Sequence, residues 1–464
     1  MAKDLRQFLD ELQRKVPDEF VTVERAVNPK FELPAVLRKL QDVDQYPAVH
    51  FKNVKGSQFS VVSNLFASTR RLGLSLGADP DHLVRDYLAM EGKLIKPKLL
   101  RNAPVHQNVI TGRSVDLAKL PVVTHCEKDA APYLTCGVAV MKDPDTGVYD
   151  VGIFRLQVKG KNKLGALYGA YSKAARIIRK NEAENRPTEV AVFVGHHPAC
   201  VLTSQTKVPV DVDEFWVMGG LLGEPIELVK AKTIDVRVPA RAEVVLECEV
   251  KAHALEPEGP FGEYPWYYGH ERLSHVLKVN AITHRNDAIY HDLFSAHPDH
   301  NMAAKVQREA VLYKRVKQAV PGLKAVELPV SGTCRHLGYV SIRKDFDGQG
   351  KIAAMAALVA DPMMKHVVIV DDDIDVKNES EVWWAVTTRT QADKAIFMVP
   401  DAYVSELDPS AYSIKDRTRR DYLNTKWAID ATKPIGLPFE ERADVPRDIW
   451  EKIKLSDYVP NFSD

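Results

Sequence analysis

Residues 151–158 read VGIFRLQV, and this stretch decides the fold class of the central part of the chain. Its valine, isoleucine and phenylalanine side chains favour an extended strand. Runs of the same texture lie at residues 136–140, 189–194 and 243–250. One helix, near residues 172–180, is expected to interrupt them. We therefore predict a mainly β domain that begins at about Leu117.

The flanking segments combine helical and strand patterns. Leu5, Phe8, Leu9 and Leu12 have the spacing of an amphipathic helix, and short strand-like runs follow it. A long helix is predicted from Asn301 to Ala319, before Pro321-Gly322, and an α/β segment with a loop-rich tail comes after it. The fold class is therefore α+β and multidomain. The predicted parts are an N-terminal α/β lobe (1–116), the β domain (117–300), a linking helix (301–323) and a C-terminal α/β domain (324–464).

Composition excludes several classes of function. The chain has 464 residues, which is more than one hydrophobic core normally serves, so several domains are expected. Its 63 basic residues balance its 63 acidic ones. The chain therefore has no excess of basic residues of the kind that binds nucleic acid or an anionic membrane surface. The five cysteines are scattered without a Cys-x-x-Cys pair, which is typical of a reducing compartment. With no apolar leader and no run of 18 apolar residues, we expect a soluble cytoplasmic protein.

Residues 257–264, PEGPFGEY, contain the strongest candidate for acid/base chemistry. Glu258 and Glu263 stand five residues apart on a backbone that its glycines and proline exclude from an ordinary helix. Such acids project from a turn or an irregular strand, either as catalytic groups or as a solvated surface pair. Arg155 lies inside the apolar stretch 151–158 and either faces solvent or faces inward. An inward-facing guanidinium needs carboxylate partners, and these two acids could supply them.

Together with other motifs, these residues resemble the UbiD family of reversible decarboxylases. The resemblance rests on DVGIFRLQVKGKNKL at 150–164, Asp213-Glu214 leading to Gly223-Glu224-Pro225, and EGPFGE at 258–263. It continues with VDDDIDV at 370–376 and DATKP at 430–434, so it covers nearly the whole chain. Each motif is weak alone, whereas their order and spacing together are specific.

The resemblance implies a non-oxidative decarboxylase of unsaturated or aromatic acids that uses prenylated FMN, supplied by a partner flavin prenyltransferase. It implies that the central domain is a split-barrel flavin domain and that the C-terminal domain forms a homodimer or a larger homo-oligomer. It also implies a catalytic Glu-Arg-Glu network formed here by Arg155, Glu258 and Glu263. In this network Arg155 holds the substrate carboxylate and Glu263 delivers the proton that replaces carbon dioxide.

The family holds the flavin phosphate through a divalent metal, usually manganese, with potassium nearby, on ligands of Asn, His and Glu type. The matching positions here are Asp150, Ser172 and Glu214, so two of the three depart from the pattern. Asp150 is a hard oxygen ligand suited to manganese, whereas the Ser172 hydroxyl is a poor replacement for imidazole. Asp150 and Glu214 are the predicted metal ligands, although Glu214 could instead cap the helix that leads into Gly219-Gly220. The predicted cofactor contacts are Asp150, Ile153, Phe154, Arg155, Gln157, Ser172, Lys173 and Glu214.

Three further residues indicate the substrate. His300, Arg308 and Arg335 resemble the substrate-binding set of the 2,5-furandicarboxylate decarboxylases within the family. A second substrate carboxylate needs such a clamp, because a guanidinium meets a carboxylate with two charge-assisted hydrogen bonds. We therefore expect 2,5-furandicarboxylate to be converted to 2-furoate and carbon dioxide. The alternatives are pyrrole-2-carboxylate, vanillate or hydroxybenzoate as substrate, a metal-dependent hydrolase built on Glu214, Glu258 and Glu263, or a cofactor-carrier subunit without turnover.

Overall fold

The N-terminal lobe is an α/β layer, as its sequence pattern predicts. The structure, a computed structural model, describes residues 2–169, 172–411 and 422–459. The elements of the lobe are α1 (Leu5–Lys15), β1 (Phe20–Val23), α2 (Glu32–Asp42), β2 (Ala48–Phe51), β3 (Ser60–Ser63), α3 (Thr69–Leu76) and α4 (Leu83–Glu91). Its four-stranded sheet has the order β1-β2-β3-β18, and β18 (Ile289–His291) comes from much later in the chain.

The amphipathic stripe of the first helix faces the core. Leu5, Phe8, Leu9 and Leu12 are all buried on one side of α1. The side chain of Asp4 accepts a hydrogen bond from the Gln7 amide at 2.9 Å and so caps the helix. The predicted helix over these residues is confirmed.

The central domain consists mainly of strands. Its elements are β4 (Lys98–Leu100), β5 (Asn108–Thr111), β6 (Tyr133–Leu134), β7 (Val138–Lys142), β8 (Tyr149–Ile153), β9 (Leu156–Gly160), β10 (Lys163–Ala166), α5 (Lys173–Ala183), β11 (Thr188–Val194), α6 (Pro198–Thr203), α7 (Glu214–Leu222), β12 (Glu227–Lys230), β13 (Arg237–Pro239), β14 (Val244–Glu258), β15 (Phe261–Gly262), β16 (Tyr268–Gly269), β17 (Arg272–His284) and β18. Nine of these strands form one sheet in the order β6-β9-β10-β17-β14-β11-β7-β8, with β5 paired to β17.

This sheet curls on itself, and the reason lies at residues 154 and 155. The prediction of one continuous strand over 151–158 was wrong, because Phe154 and Arg155 separate β8 from β9. β8 lies at one end of the sheet path and β9 lies next to the other end. Since only two residues connect them, the two ends of the path must come close together. The sheet is therefore a half-closed barrel, and Arg155 lies where it splits.

The C-terminal part is a second α/β unit. Its elements are α8 (Pro298–Ala303), α9 (Lys305–Ala319), β19 (Leu323–Glu327), β20 (Leu337–Ile342), α10 (Gln349–Leu358), β21 (His366–Asp371), α11 (Glu379–Arg389), α12 (Ala392–Ala395), β22 (Ile396–Tyr403), β23 (Leu423–Ala431) and α13 (Arg447–Trp450). The sheet order is β19-β20-β21-β23-β22, with parallel pairing between β20 and β21 and between β21 and β23. The predicted linking helix is broken at Ala304 into α8 and α9.

The parts of the chain share a common interior. One apolar cluster includes Leu5 of the N-terminal lobe, Val138 of the barrel sheet and Val340 of the C-terminal sheet. Strand pairing also crosses the predicted boundaries, because β18 completes the lobe's sheet and β5 joins the barrel. The boundaries at residues 116, 300 and 323 stay predictions. None of the helices in the described ranges combines the length and the apolar character of a membrane span.

Candidate active site

Arg155 and the two acids of the 257–264 segment form one ion-pair network. Arg155 donates from Nε and Nη2 to the two carboxylate oxygens of Glu258, at 3.1 and 2.6 Å. Its Nη1 donates to Glu263. All three side chains are nearly inaccessible, and Glu258 is completely buried. The surface-turn reading of these acids and the solvent-facing reading of Arg155 are therefore wrong, because the break between β8 and β9 turns the guanidinium inward.

The 257–264 segment is held in place by its own backbone contacts. The Gly262 amide donates to Asp129 at 2.8 Å, and a Cβ at this glycine would lie 2.6 Å from the Cys126 sulfur. The Glu263 amide donates to the Tyr267 carbonyl at 2.9 Å. Because glycine alone permits this close approach, the loop can carry Glu263 to Arg155 while Glu258 remains at the end of β14.

Aromatic rings close the network from one side. The Arg155 guanidinium lies 5.2 Å from the centre of the Phe261 ring, and Phe261 contacts Tyr133 at a ring distance of 4.4 Å. Burial raises the pKa of Tyr133, and the negative charge of Glu258 raises it further. Two carboxylates share one guanidinium in a site of low polarity, which is a suitable arrangement for holding an anion and moving a proton.

A cavity of about 660 Å³ opens beside the network. Arg155 and Glu263 line it, and Ile153, Phe154 and Leu293 contribute apolar surface. Such a volume and such a mixture of apolar walls and few charged groups are typical of cofactor and substrate sites.

The predicted cofactor residues divide into two groups. Ile153, Phe154, Arg155 and Ser172 line the cavity, whereas Asp150, Gln157, Lys173 and Glu214 do not contribute to its lining. Gln157 is buried in β9, and its Oε1 has no hydrogen-bond partner among the described residues.

Ser172 has a structural task. Its hydroxyl oxygen accepts a hydrogen bond from the Ala175 amide at 3.1 Å and caps α5. Glu214, in contrast, is not a cap, because Asp213 performs that role for α7 through the Phe215 amide at 2.9 Å. The alternative reading of Glu214 as a helix cap is therefore wrong.

Asp150 and Glu214 form an acidic pair near the amine of Lys173. Lys173 Nζ bonds Glu214 Oε1 at 2.7 Å, while Glu214 Oε2 is buried without a partner in the described part of the chain. Burial raises the pKa of Glu214 to about 7, against the opposing charge of Lys173, and the nearby Asp150 carboxylate raises it further. Burial likewise raises the pKa of Asp150 to about 6. In the parts of the chain that the structure describes, Lys173 is thus the one cation that these two carboxylates are seen to share. No cluster of three or more acidic, histidine or cysteine side chains suited to a metal occurs among residues 2–169, 172–411 and 422–459.

Two of the three predicted substrate residues, His300 and Arg308, line the cavity, and with Lys207 and Asp361 they form what we call its far wall. Arg335 does not line the cavity, but its charge acts on both His300 and Arg308 from behind this wall. Arg335 is buried, stacks at 4.4 Å on the Tyr264 ring and donates to Asn301 Oδ1 and the Thr333 carbonyl, both at 3.0 Å. Burial lowers the pKa of Arg335 to about 10, and the charge of Arg308 lowers it further. The charges of the two arginines therefore influence each other, although only Arg308 lines the cavity.

His300 is neutral at this wall. Burial, followed by the positive charge of Arg335, lowers its pKa to about 3. Its Nδ1 lies 3.2 Å from the Ser295 carbonyl oxygen, so the tautomer that donates there leaves Nε2 as an acceptor.

Two charged residues of the cavity wall carry no signal in the sequence. Asp361 follows α10 and bonds Arg308 Nη1 at 2.5 Å, and Lys207 lies in a polar loop and bonds the same carboxylate oxygen at 3.3 Å. No motif or spacing connects them, because they lie 154 residues apart.

The chain matches known proteins over nearly its whole length. Sequence models of three domains of 3-octaprenyl-4-hydroxybenzoate carboxy-lyase (UbiD) match it: the N-terminal domain at residues 12–90, the Rift-related domain at 98–298 and the C-terminal domain at 301–431. It is 34% identical over 435 residues to the anhydromevalonate phosphate decarboxylase of Methanothermobacter thermautotrophicus, covering 93% of this chain and 97% of that protein.

Solved structures agree with these matches. The UbiD-class enzyme HmfF from Pelotomaculum thermopropionicum in complex with FMN has a TM-score of 0.92 and 38% identity, covering 98% of this chain and all of that one. An evolved dimeric form of HmfF in complex with prFMN has a TM-score of 0.89 and 35% identity, covering 99% of this chain and all of that one. The 3,4-dihydroxybenzoic acid decarboxylase AroY of Klebsiella pneumoniae has a TM-score of 0.89 and 27% identity, covering 98% of this chain and all of that one.

Proposed function

The chain belongs to the UbiD family of carboxy-lyases, and from this premise we propose that it decarboxylates a heteroaromatic acid with the help of prenylated FMN. The observation that carries the proposal is the buried network of Arg155, Glu258 and Glu263 at the wall of a cavity of about 660 Å³. HmfF binds FMN and prFMN with the same fold, which supports a flavin in this cavity.

The geometry gives each member of the network a separate role. Glu258 binds Arg155 through two hydrogen bonds and is completely buried, so it anchors the guanidinium permanently. Nη1, on the Glu263 side, is the part of Arg155 that a substrate carboxylate can reach. A carboxylate that binds there competes with Glu263 for Arg155 and leaves Glu263 able to carry a proton.

The proton balance of the reaction follows from this arrangement. Bound prenylated FMN would supply an electron sink for the electron pair left when the bond to carbon dioxide breaks. Glu263 donates its proton to the carbon atom that loses carbon dioxide and is reprotonated before the next turnover. The apolar side chains of Ile153 and Phe154 keep water from this carbon.

The residues present fit a divalent cation near the flavin phosphate in part. Asp150 and the unpartnered Oε2 of Glu214 are hard oxygen donors, and a cation would add positive charge to that of Lys173 beside these two acids. Lys173 competes for Glu214, and Ser172 is engaged as a helix cap. We therefore propose manganese on Asp150 and Glu214. Potassium stays a prediction without a ligand set.

The alternative of a metal-dependent hydrolase loses its basis in the same geometry. It requires Glu214, Glu258 and Glu263 around one metal. Glu258 and Glu263 both bind Arg155, whereas Glu214 binds Lys173 on a different element. The carrier-subunit alternative requires an incomplete catalytic set, but the three residues of the network are all present and in contact.

For the substrate, we propose 2,5-furandicarboxylate, which would give 2-furoate and carbon dioxide. Arg155 would bind the carboxylate that leaves, and Arg308 with Arg335 would bind the second one. A second candidate is an unsaturated acid with a distal phosphate, because the Methanothermobacter relative is a decarboxylase of anhydromevalonate phosphate and a phosphate also needs cations at that wall. Pyrrole-2-carboxylate, vanillate and hydroxybenzoate lack a second anionic group of this kind and make less use of the arginines.

The partners that we propose are a flavin prenyltransferase, which supplies the cofactor, and further copies of the chain. Met398, Val399 and Tyr403 are exposed on β22, the edge strand of the C-terminal sheet. An exposed apolar edge strand is suited to pairing with another subunit, which supports a homodimer or a larger assembly.

The test is an anaerobic assay of carbon dioxide release on protein co-expressed with a flavin prenyltransferase, with the visible spectrum recorded alongside. The panel is 2,5-furandicarboxylate, pyrrole-2-carboxylate, vanillate and anhydromevalonate phosphate. We expect a flavin spectrum and release from the furan diacid. Release from the monoacids alone would contradict the clamp, and a flavin-free protein that is inactive on the whole panel would overturn the proposed function.

A further inference from the structure

The far wall of the cavity contains a carboxylate that offsets part of the positive charge of the cations beside it. Asp361 is almost fully buried and lines the cavity, with Oδ2 bound to Arg308 and Lys207. Its Oδ1 accepts the Met363 amide at 2.9 Å, so the side chain is held between α10 and β21. A substrate anion that approaches Arg308 therefore meets this negative charge as well.

Arg335 behind the wall has no such partner. Within the described part of the chain, its guanidinium forms no salt bridge, and the oxygens that accept its hydrogen bonds are the neutral ones of Asn301 and Thr333. A buried arginine without a carboxylate is costly unless a ligand supplies the missing anion. Two cations of the lining, Arg308 and Lys207, share the carboxylate of Asp361, and Arg335 adds a positive charge behind them. Asp361 therefore offsets only part of the positive charge that a ligand meets there.

We propose that Asp361 tunes which distal anion this wall accepts, because it weakens the binding of a phosphate or phosphonate more than the binding of a carboxylate. The inference rests on the proposed function for the identity of the leaving carboxylate. A carboxylate carries one negative charge, whereas a phosphate monoester carries a negative charge of about 1.5 to 2 at neutral pH. Asp361 repels both groups, but it repels the more highly charged one more strongly. Removing the charge of Asp361 therefore strengthens the binding of the dianionic group more than the binding of the carboxylate.

The test compares three furan ligands that differ at one position: furan-2-carboxylate, furan-2,5-dicarboxylate and 5-phosphonofuran-2-carboxylate. Their affinities are measured by calorimetry at pH 8 on cofactor-loaded protein in the Glu263→Gln background, which removes the proposed proton donor and prevents turnover. Asp361→Asn and Asp361→Ser remove the charge, and Ser retains an acceptor for the Met363 amide. Asp361→Glu is the control that keeps the charge.

The quantity compared between variants is the ratio of the dicarboxylate affinity to the phosphonate affinity. Both uncharged variants should shift this ratio at least tenfold toward the phosphonate, while Asp361→Glu keeps it within threefold. The affinity of furan-2-carboxylate should change less than threefold in every variant, because it has no distal anion.

A ratio that stays within threefold in both uncharged variants overturns the inference. Equal losses for all three ligands also overturn it, since they would show that Asp361 only shapes the wall. If neither diacid binds more tightly than furan-2-carboxylate, no distal anion is recognised and the inference fails. If the ratio shifts as expected but no acid of the panel above releases carbon dioxide, the inference stands and the proposed function fails.

Discussion

Replacing Glu263 by glutamine removes the proton that this residue is proposed to donate and leaves the other contacts of the network in place. The glutamine amide has nearly the same volume and keeps one oxygen for Arg155 Nη1, but it has no carboxyl proton to deliver. Arg155 remains bound to Glu258 through Nε and Nη2, at 3.1 and 2.6 Å. Cofactor binding and the position of the guanidinium should therefore survive the substitution.

The magnitude follows from the two parts of this change. A positioned general acid contributes about 10²–10⁴ to the rate, so the loss corresponds to about 3–5 kcal/mol of transition-state stabilisation. The structural cost is that of weakening one hydrogen bond to a charged group, about 1–2 kcal/mol of unfolding free energy. In a chain of this size, that cost lowers the Tm by only a few degrees.

The assay is anaerobic carbon dioxide release by cofactor-loaded protein, with the visible spectrum as a measure of loading. Glu256→Gln is the matched control, because Glu256 lies two residues before Glu258 in β14 and binds Lys159 and Lys163 at the surface. We expect normal loading in both variants and loss of turnover only in Glu263→Gln. Turnover of Glu263→Gln within tenfold of the parent, at equal loading, would refute its role as proton donor.

Two further predictions concern stability and the flavin phosphate site. Ser172→Ala should lower the unfolding free energy by about 1 kcal/mol, because the cap on the Ala175 amide is lost. It should leave the manganese-dependent affinity for FMN within threefold, whereas Glu214→Gln should abolish the manganese dependence. Fluorescence titration with FMN measures the affinity of both variants, and equal losses would contradict the assignment of Glu214 as a metal ligand. Burial raises the pKa of Asp299 from 3.8 to about 7, against hydrogen bonds from the Asn64 and Phe66 amides. The folded protein thus keeps a proton that the unfolded chain has lost, and stability should fall by about 3 kcal/mol between pH 5 and pH 8. Urea unfolding at the two pH values should show this fall in the parent and a flatter profile in Asp299→Asn, and identical slopes would contradict the raised pKa.

The sequence by itself determined the local structure and the types of residue in the site. The apolar stripe of α1, the strand texture of the central domain and the glycines and proline around Glu258 all act over a few residues, where propensity and sterics decide the outcome. The order and spacing of the motifs also sufficed for the family, which the matches over residues 12–431 confirm. Local pattern did fail at residues 154 and 155, where the chain leaves one end of the sheet and re-enters near the other.

Only the tertiary structure decided which charges meet. The curled sheet brings Arg155 to acids more than a hundred residues away, and Asp361 reaches Arg308 across 53 residues. A sequence pattern shows that a side chain is polar, but its partner depends on strand order and sheet curvature, which long-range packing sets. For the same reason the sequence showed only that Ser172 stands where the family has a metal-binding histidine and could not show that its hydroxyl caps a helix. The charge balance at the far wall of the cavity exists only once the fold has brought these residues together.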